Sequence, residues 1–437
     1  MTLAEKIKLV LYLSVPAMLA QLSTVAMEII DAAMLGHLGT NEAAAVGLVS
    51  TSMWMIGGVT CGFTVGFYVL VAHNIGAENT KRARSIIRQG ISCGGAFSVV
   101  MMLIGLAISP YLPGWLRADE AIWHDATVYF AIISLSLPIM FLCSLAAGCL
   151  RSAGNIKVPS LLNIGGCLLD VVLNYVLIFW LDMGVLGAAL GSFLAFTVMM
   201  VLMMYFLIVR DEQLRFSLDQ HQKFRPHWDT ISQCIKIGTP ISMERGLMSG
   251  AQVAISGIIA PMGSVAIAAN TFGVNIESLC YMPGHGIAEA ATTLVGQSVG
   301  ARRQDLMRSF GWLTVLLGMV VMGLMGVVMW VFAPEMMHIV TDDMSVITLG
   351  SEVLRIEAWA EPGFAAAIIA YHVFVGAGRT IGSSIINLVS IWGVRLSLVL
   401  LLAPSMGLHG VWLAMAIELT VRGAFFLVRL HYRLKIE

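Results

Sequence analysis

Apolar runs of roughly 20 or more residues recur along this chain, each long enough to cross a hydrocarbon core of about 30 Å as an α-helix. Only 12% of residues are charged, about half the usual share in soluble proteins. With 58% hydrophobic residues and a mean hydropathy of +0.86, a water-soluble fold is excluded. Twelve spans can be read, near 9–35, 44–73, 87–112, 124–149, 158–181, 184–209, 233–261, 266–296, 309–333, 346–375, 381–403 and 408–430. The first run, from Ile7 to Leu35, is too long for the apolar region of a signal peptide and carries Glu28 and Asp31. A retained first span is therefore expected.

The second half of the chain repeats the first. Pro16 returns as Pro240, 224 positions on, and Gly39 as Gly263, Gly76-Ala77 as Gly300-Ala301, Ala153-Gly154 as Ala377-Gly378 and Asn163 as Asn387. Glycines, a proline and an asparagine at one shared offset do not arise by chance in an apolar chain. The period far exceeds that of a solenoid, so it marks a duplicated half-protein. Six spans per half is an even number, and both halves then enter the membrane from the same side. The expected fold is an all-α integral membrane protein with twelve transmembrane helices in two parallel-repeat six-helix lobes. Residues 1–210 would form the amino-terminal lobe, 211–228 a cytoplasmic linker and 229–437 the carboxy-terminal lobe.

Loop charge gives the orientation. Lys81, Arg82, Arg84, Arg88, Arg210, Arg215, Lys223, Arg225, Arg302, Arg303 and Arg308 border one set of loops, whereas the opposite set holds Arg117. By the positive-inside rule both termini are expected to be cytoplasmic. The seven cysteines lie in or beside spans without metal-ligand spacing, as small apolar packers do. No Gly-rich phosphate loop or nucleotide motif occurs, so no cofactor is expected. Energy would come from an ion gradient or a separate subunit.

Charges inside spans cost about 2.5–3.5 kcal/mol each and mark functional candidates. Gln21, Thr24, Glu28 and Asp31 share one face of span 1, and Asn163, Cys167, Asp170 and Asn174 share one face of span 5. Two such polar stripes should face a common interior. In the second half the candidates are Glu244, Glu277 and Glu361, with Met248 and Gln252 along the Glu244 ridge and Tyr281 one turn past Glu277. Structural pairing competes with function at several positions. Arg355 or Arg395 could neutralise Glu357 or Glu277, and Glu418 could pair with Arg422 one turn on. A buried carboxylate is stable only when neutralised, by a proton, by Na⁺ with neighbouring oxygens, or by a cationic substrate. Mutual exclusion among these would tie ion uptake to substrate release. Met27, Met34, Met243 and Met248 lie near the polar faces, where flexible, polarizable side chains suit varied ligands. No nucleophile–base–orienter set is visible, so an enzyme is not expected.

These residues resemble the multidrug and toxic compound extrusion (MATE) family over essentially the whole chain. The resemblance is carried by Glu28-Ile29-Ile30-Asp31-Ala32-Ala33-Met34-Leu35-Gly36, by Asn74-Ile75-Gly76-Ala77 with its twin Gly296-Gln297-Ser298-Val299-Gly300-Ala301, by Arg151-Ser152-Ala153-Gly154-Asn155, and by Asn275-Ile276-Glu277-Ser278-Leu279 with Met282-Pro283-Gly284. It implies coupling-ion binding (H⁺ or Na⁺) at Asp31, with Asp170, Asn174 and Glu28 in support. It implies carboxy-lobe ion or substrate binding at Glu244, Glu277 and Glu361, and a substrate cavity touching Gln21, Met27, Met248, Gln252 and Tyr281. Two departures stand out. Asp170 and Asn174 reverse the asparagine–aspartate order of one branch. Glu244 and Glu361 each sit about one turn before the Na⁺-branch carboxylates, at Met248 and near Phe364. The implied activity is export of amphipathic, mostly cationic compounds in exchange for H⁺ or Na⁺ by alternating access. A monomer in the cytoplasmic (inner) membrane is expected, with no nucleic-acid partner. A lipid-linked saccharide flippase is the alternative, but it would need a basic cavity, and the first-half interior holds acids without arginine.

Overall fold

The computed structural model describes residues 2–116, 118–219 and 227–434. Arg117, Lys223 and Arg225 of the charge argument, and the middle of the expected linker, lie outside the described residues. Every regular element among those described is helical. This follows from the composition: in lipid a backbone must satisfy its own hydrogen bonds, and a helix does so within one segment.

Among the described residues twelve long helical segments are present, besides short turns such as Leu112–Trp115 and Phe216–Asp219: α1 (Leu3–Leu38), α2 (Asn41–Gly76), α3 (Thr80–Ile108), α4 (Glu120–Leu135 with Leu137–Ser152), α5 (Lys157–Trp180), α6 (Gly184–Arg210), α7 (Trp228–Ile259), α8 (Ser264–Gly300), α9 (Gln304–His338), α10 (Met344–Ala358 with Glu361–Gly376), α11 (Thr380–Met406) and α12 (Leu408–Arg433). Eight are long and apolar enough to cross a membrane by length and composition alone, and the two bent pairs raise that to ten. The remaining two, α7 and α8, have 32 and 37 residues. They are long enough to span, but they carry Glu244, Arg245, Glu277 and Glu289, which lower their hydropathy. α1, α5 and α12 also hold intramembrane acids but remain apolar enough to count as spans.

The repeat extends to the breaks. α4 bends by 41° and α10 by 58°, and the second segment of each opens with a proline at its second position, Pro138 and Pro362. The two prolines are again 224 apart. A proline there has no N–H to give the preceding turn and cannot continue it. The halves thus share a break, but only α10 places carboxylates on both sides of it, at Glu357 and Glu361.

Two compact units emerge. One comprises residues 23–246, the other residues 1–22 with 247–437. The changeovers lie inside α1 and α7, whereas the expected lobe limits follow the loops. The first turns of α1 join the second unit through polar contacts as well as packing: Lys6 Nζ donates to Ser309 Oγ at 2.9 Å, and Gln21 Nε2 donates to Glu289 Oε1 at 3.2 Å. The described start of the linker is tied to α3 in the other unit. Arg84 Nη1 donates to the Gln213 carbonyl at 2.6 Å, and Arg88 sits 4.8 Å from the Phe216 ring centroid.

Candidate functional site

Within the unit of residues 23–246 the two polar stripes meet. The contacts between α1 and α5 advance toward the carboxy terminus of both helices, over seven residues of α1 and eleven of α5. Asn163 Nδ2 donates to Thr24 Oγ1 at 3.2 Å. Two turns further along α1, Asn174 Nδ2 donates to Asp31 Oδ1 and to Asp170 Oδ2, both at 3.0 Å. One amide group therefore bridges two carboxyl groups, which are also hydrogen-bonded to each other. Asp170 and Asn174 are 3% and 2% exposed, so the bridge is closed off on the α5 side. Asp31 is half-buried, which leaves it as the member open to exchange. Asp170 Oδ1 and Asn174 Oδ1 have no hydrogen-bond partner. Two buried acceptors, both beside Asp31, suit a small cation. Among the described residues no three His, Cys, Asp or Glu side chains could hold a metal ion, so a bound Na⁺ here would need the Asn174 oxygen as a third donor.

Packing sets this geometry. Met34 and Leu35 of α1 are buried against Ile178 of α5 and Val185 and Ala188 of α6, which fixes the rotation of α1 one turn after Asp31. A π-helical turn, Val176–Trp180, begins two residues after Asn174; such turns widen a helix and often lie at functional sites. On α6, Gly191 makes room for the bridge, because a Cβ there would be driven into Asn174 Oδ1 and lie 3.0 Å from Cγ. Gly191→Ala is expected to displace Asn174, break both amide hydrogen bonds and destabilise the site by about 1–3 kcal/mol. Gradient-driven transport should fall about tenfold in liposomes, since 1.4 kcal/mol is a factor of ten. Wild-type transport by this variant would refute the spacer role.

Sequence reasoning missed two neighbours. Ser192 of α6 hydrogen-bonds Asp170, and Tyr129 of α4 lies within electrostatic range of Asp31 and Asp170. A lone serine on α6 and a lone tyrosine on α4 form no polar stripe of helical spacing with the acids they approach. Glu28 is half-buried on the same stripe and stays outside the amide bridge. Met27 belongs to this unit and is half-buried. Glu244 also belongs to it and is 5% exposed.

Those two carboxylates lie in the other unit, with Gln21, Met248, Gln252 and Tyr281. Glu277 is 4% and Glu361 0% exposed, and Glu357, on the opposite side of the α10 break, is equally enclosed. Tyr281, His285 and Glu289 recur every four residues on α8. The Tyr281 ring is 5.3 Å from Phe364 and 5.8 Å from His285, and His285 is 6.1 Å from His372. Gln21 reaches this row through Glu289, whereas Gln252 is exposed on α7. Arg355 does not neutralise Glu357; its Nε donates to the Trp330 carbonyl at 3.2 Å. Glu418 does pair with Arg422.

The MatE family model matches residues 16–176 and again residues 240–401. The chain belongs to the MatE family. The two matches begin 224 residues apart, at the period of the internal repeat. Membership makes this MatE protein a multi-pass membrane transporter and not an enzyme. It is 27% identical over 429 residues to a probable multidrug resistance protein NorM of Thermotoga maritima, covering 95% of this chain and 90% of that one. It is 25% identical over 437 residues to a protein of the same name from Bacillus cereus, covering 98% and 96%. Its fold is similar to that of a MOP superfamily transporter from Pyrococcus furiosus, with a TM-score of 0.92 at 21% identity, covering 98% of this chain and 96% of that one. The outward-facing conformation of a multidrug resistance MATE family transporter gives 0.90 at the same identity and coverage. The MatE fold accounts for the twelve-helix layout.

Proposed function

We propose that this MatE transporter exports amphipathic, mostly cationic drugs or toxins from the cell in exchange for H⁺ or Na⁺, by alternating access, as a monomer in the cytoplasmic membrane with both termini inside. The observation that carries this reading is the amide bridge from Asn174 to Asp31 and Asp170. Two carboxyl groups held by one amide repel when both are charged, and one cation relieves them. A proton needs no further ligand, whereas Na⁺ would draw on Asp170 Oδ1 and Asn174 Oδ1. The half-buried Asp31 is the member that a cationic substrate would compete for. An ion shifts the balance of transporter states only if it binds them unequally, and a bridge between two helices supplies that inequality when the helices part. Each charge moved down the membrane potential contributes about 2.3 kcal/mol per 100 mV. The resistance-protein names of the relatives support the substrate class, and the flexible Met27 and Met248 suit a polyspecific surface.

The test is transport by the purified protein in liposomes, following a fluorescent organic cation under an imposed H⁺ or Na⁺ gradient. The H⁺ gradient is expected to drive exchange more strongly than the Na⁺ gradient, because a proton on the Asp31–Asp170 pair needs no further ligand, whereas Na⁺ has to recruit the Asn174 oxygen. Movement of the cation under neither gradient would defeat the reading and favour a flippase.

A further inference from the structure

Six charged groups are enclosed in the unit of residues 1–22 and 247–437, and their pairing is lopsided. Glu418 of α12, 0% exposed, holds two guanidinium groups. Arg395 reaches its Oε2 through Nη2 at 2.7 Å and Nε at 3.0 Å. Arg422 Nε lies 3.2 Å from Oε1, in ion-pair range without hydrogen-bond alignment, and the Ser390 hydroxyl donates to the same oxygen. Glu357 and Glu361 have neither guanidinium: all four of their carboxyl oxygens are buried without a hydrogen-bond partner. Glu277 completes the acidic set, and Arg395 is within electrostatic range of both Glu277 and Glu357. None of these charges occupies a position whose repeat counterpart is charged. Met53 stands for Glu277, Ile133 for Glu357 and Leu137 for Glu361, each 224 residues earlier.

The backbone brings the two groups together. α10 crosses α12 so closely that a Cβ on Gly363 would lie 2.9 Å from Thr420 Cα. Glu357, on the α10 segment before that crossing, lies within electrostatic range of Glu418 and Arg395. Arg395 ends a π-helical segment, Val389–Arg395, and such widened turns often lie at functional sites. Glu418 would retain Arg422 and Ser390 if Arg395 left it.

We propose that Arg395 is a tethered counter-ion with two resting places, Glu418 and the Glu357–Glu277 side, and that it moves to the second when those carboxyls lose their protons. The released proton ends in bulk water, Arg395 neutralises the new carboxylate, and Glu418 stays paired with Arg422. A tethered cation of this kind competes with any cation arriving at the acidic set, which would make Arg395 a positioning residue for exchange. That consequence rests on the exchange function proposed above; the movement of Arg395 itself does not. The facing groups are Glu277 and Cys280 of α8, Glu357 and Glu361 of α10, and Glu418 and Arg422 of α12. α9 presents Met325 and Met329 at Cys280, and the part of α7 in this unit adds the Leu247 carbonyl, which accepts from Trp392 Nε1. Glu352 and Arg355 are turned to His409 and Trp330.

The test uses the purified full-length protein in nanodiscs and needs no transport. Infrared titration follows the carboxylic-acid C=O band in wild type, Glu357→Gln, Arg395→Gln and Arg395→Lys. The band is expected to lose intensity in Glu357→Gln. In Arg395→Gln it should persist at least about one pH unit further into the alkaline range, a tenfold change in proton activity, and Arg395→Lys should return it toward wild type. In parallel, the ¹⁵N signal of the Arg395 guanidinium should change across the same titration in wild type and change less in Glu357→Gln, a near-isosteric variant that should fold and that leaves Glu277 as the remaining partner. Titration of Arg395→Gln identical to wild type overturns the proposal. So does a wild-type Arg395 signal unaffected by pH, whether or not Arg395→Gln folds. Failed transport with the expected spectra would count against the exchange function alone.

Discussion

Asp31→Asn is expected to fold normally and to lose gradient-driven export, with cation movement falling to the level of protein-free liposomes. Asparagine keeps the size of the side chain and an acceptor oxygen for Asn174 Nδ2, which donates to Asp31 at 3.0 Å. What it removes is the charge. Without it the bridge holds one carboxyl group, Asp170, which already has Asn174 and Ser192 as partners and is too enclosed to exchange. A hydrogen bond to a charged group contributes about 1.5–3 kcal/mol, so losing the ionisable member weakens ion binding by at least tenfold before any electrostatic contribution is counted. The variant should still bind the organic cation, only more weakly, because the aromatic and methionine surfaces are untouched. Thermal denaturation is the control, and a melting temperature close to wild type shows that the loss is functional. Export at the wild-type rate under a gradient would sink the assignment of Asp31. A matching loss in Asp170→Asn, with Glu28→Gln near wild type, would assign the coupling to the bridge and not to the whole stripe.

Glu418→Gln is expected to destabilise the protein by about 3–5 kcal/mol, because it strips the carboxylate from two enclosed guanidinium groups. The Arg395 and Arg422 side chains of these ion pairs are 10% and 6% exposed and that of Glu418 0%, so water cannot take its place. Glutamine still offers one oxygen to Ser390 or an arginine, but no charge. Denaturant titration or thermal inactivation of the purified protein gives the measurement, and a loss below about 1 kcal/mol would mean the arginines are not anchored as described. Glu357→Gln is the informative contrast. Its oxygens have no hydrogen-bond partners while Arg395 rests on Glu418, so a near-isosteric amide removes no hydrogen bond and its stability should change by less than about 1 kcal/mol. If Arg395 moves to Glu357 when Glu418 is lost, the cost of Glu418→Gln will fall at the low end of its range, and adding Glu357→Gln will raise it. Independent sites would be additive.

Much of the architecture was legible because the bilayer imposes it. Apolar runs gave twelve helices whose observed limits differ from the expected ones by a few residues. The exceptions are α7 and α8, which are long enough to span but less apolar than the others. The α1 and α5 stripes could be paired from their spacing, because polar side chains on apolar helices must find each other in lipid. The partners of Glu418 were half legible. The i,i+4 relation to Arg422 is local, but the contact with Arg395 depends on how α11 packs against α12, which no spacing within one helix encodes.

Chain composition and the 224-residue repeat by themselves determined a duplicated all-helical membrane protein, and with it the shared proline breaks of α4 and α10. The tertiary structure alone decided that Gly191 leaves room for the Asn174 bridge, that the changeovers between compact units fall inside α1 and α7, and that Arg395 rests on Glu418 while Glu357 has no partner. The physical reason is range. Hydrophobic transfer and backbone hydrogen bonding act segment by segment and are written along the chain. Which enclosed carboxylate receives a cation depends on a few ångströms of packing between helices far apart in sequence.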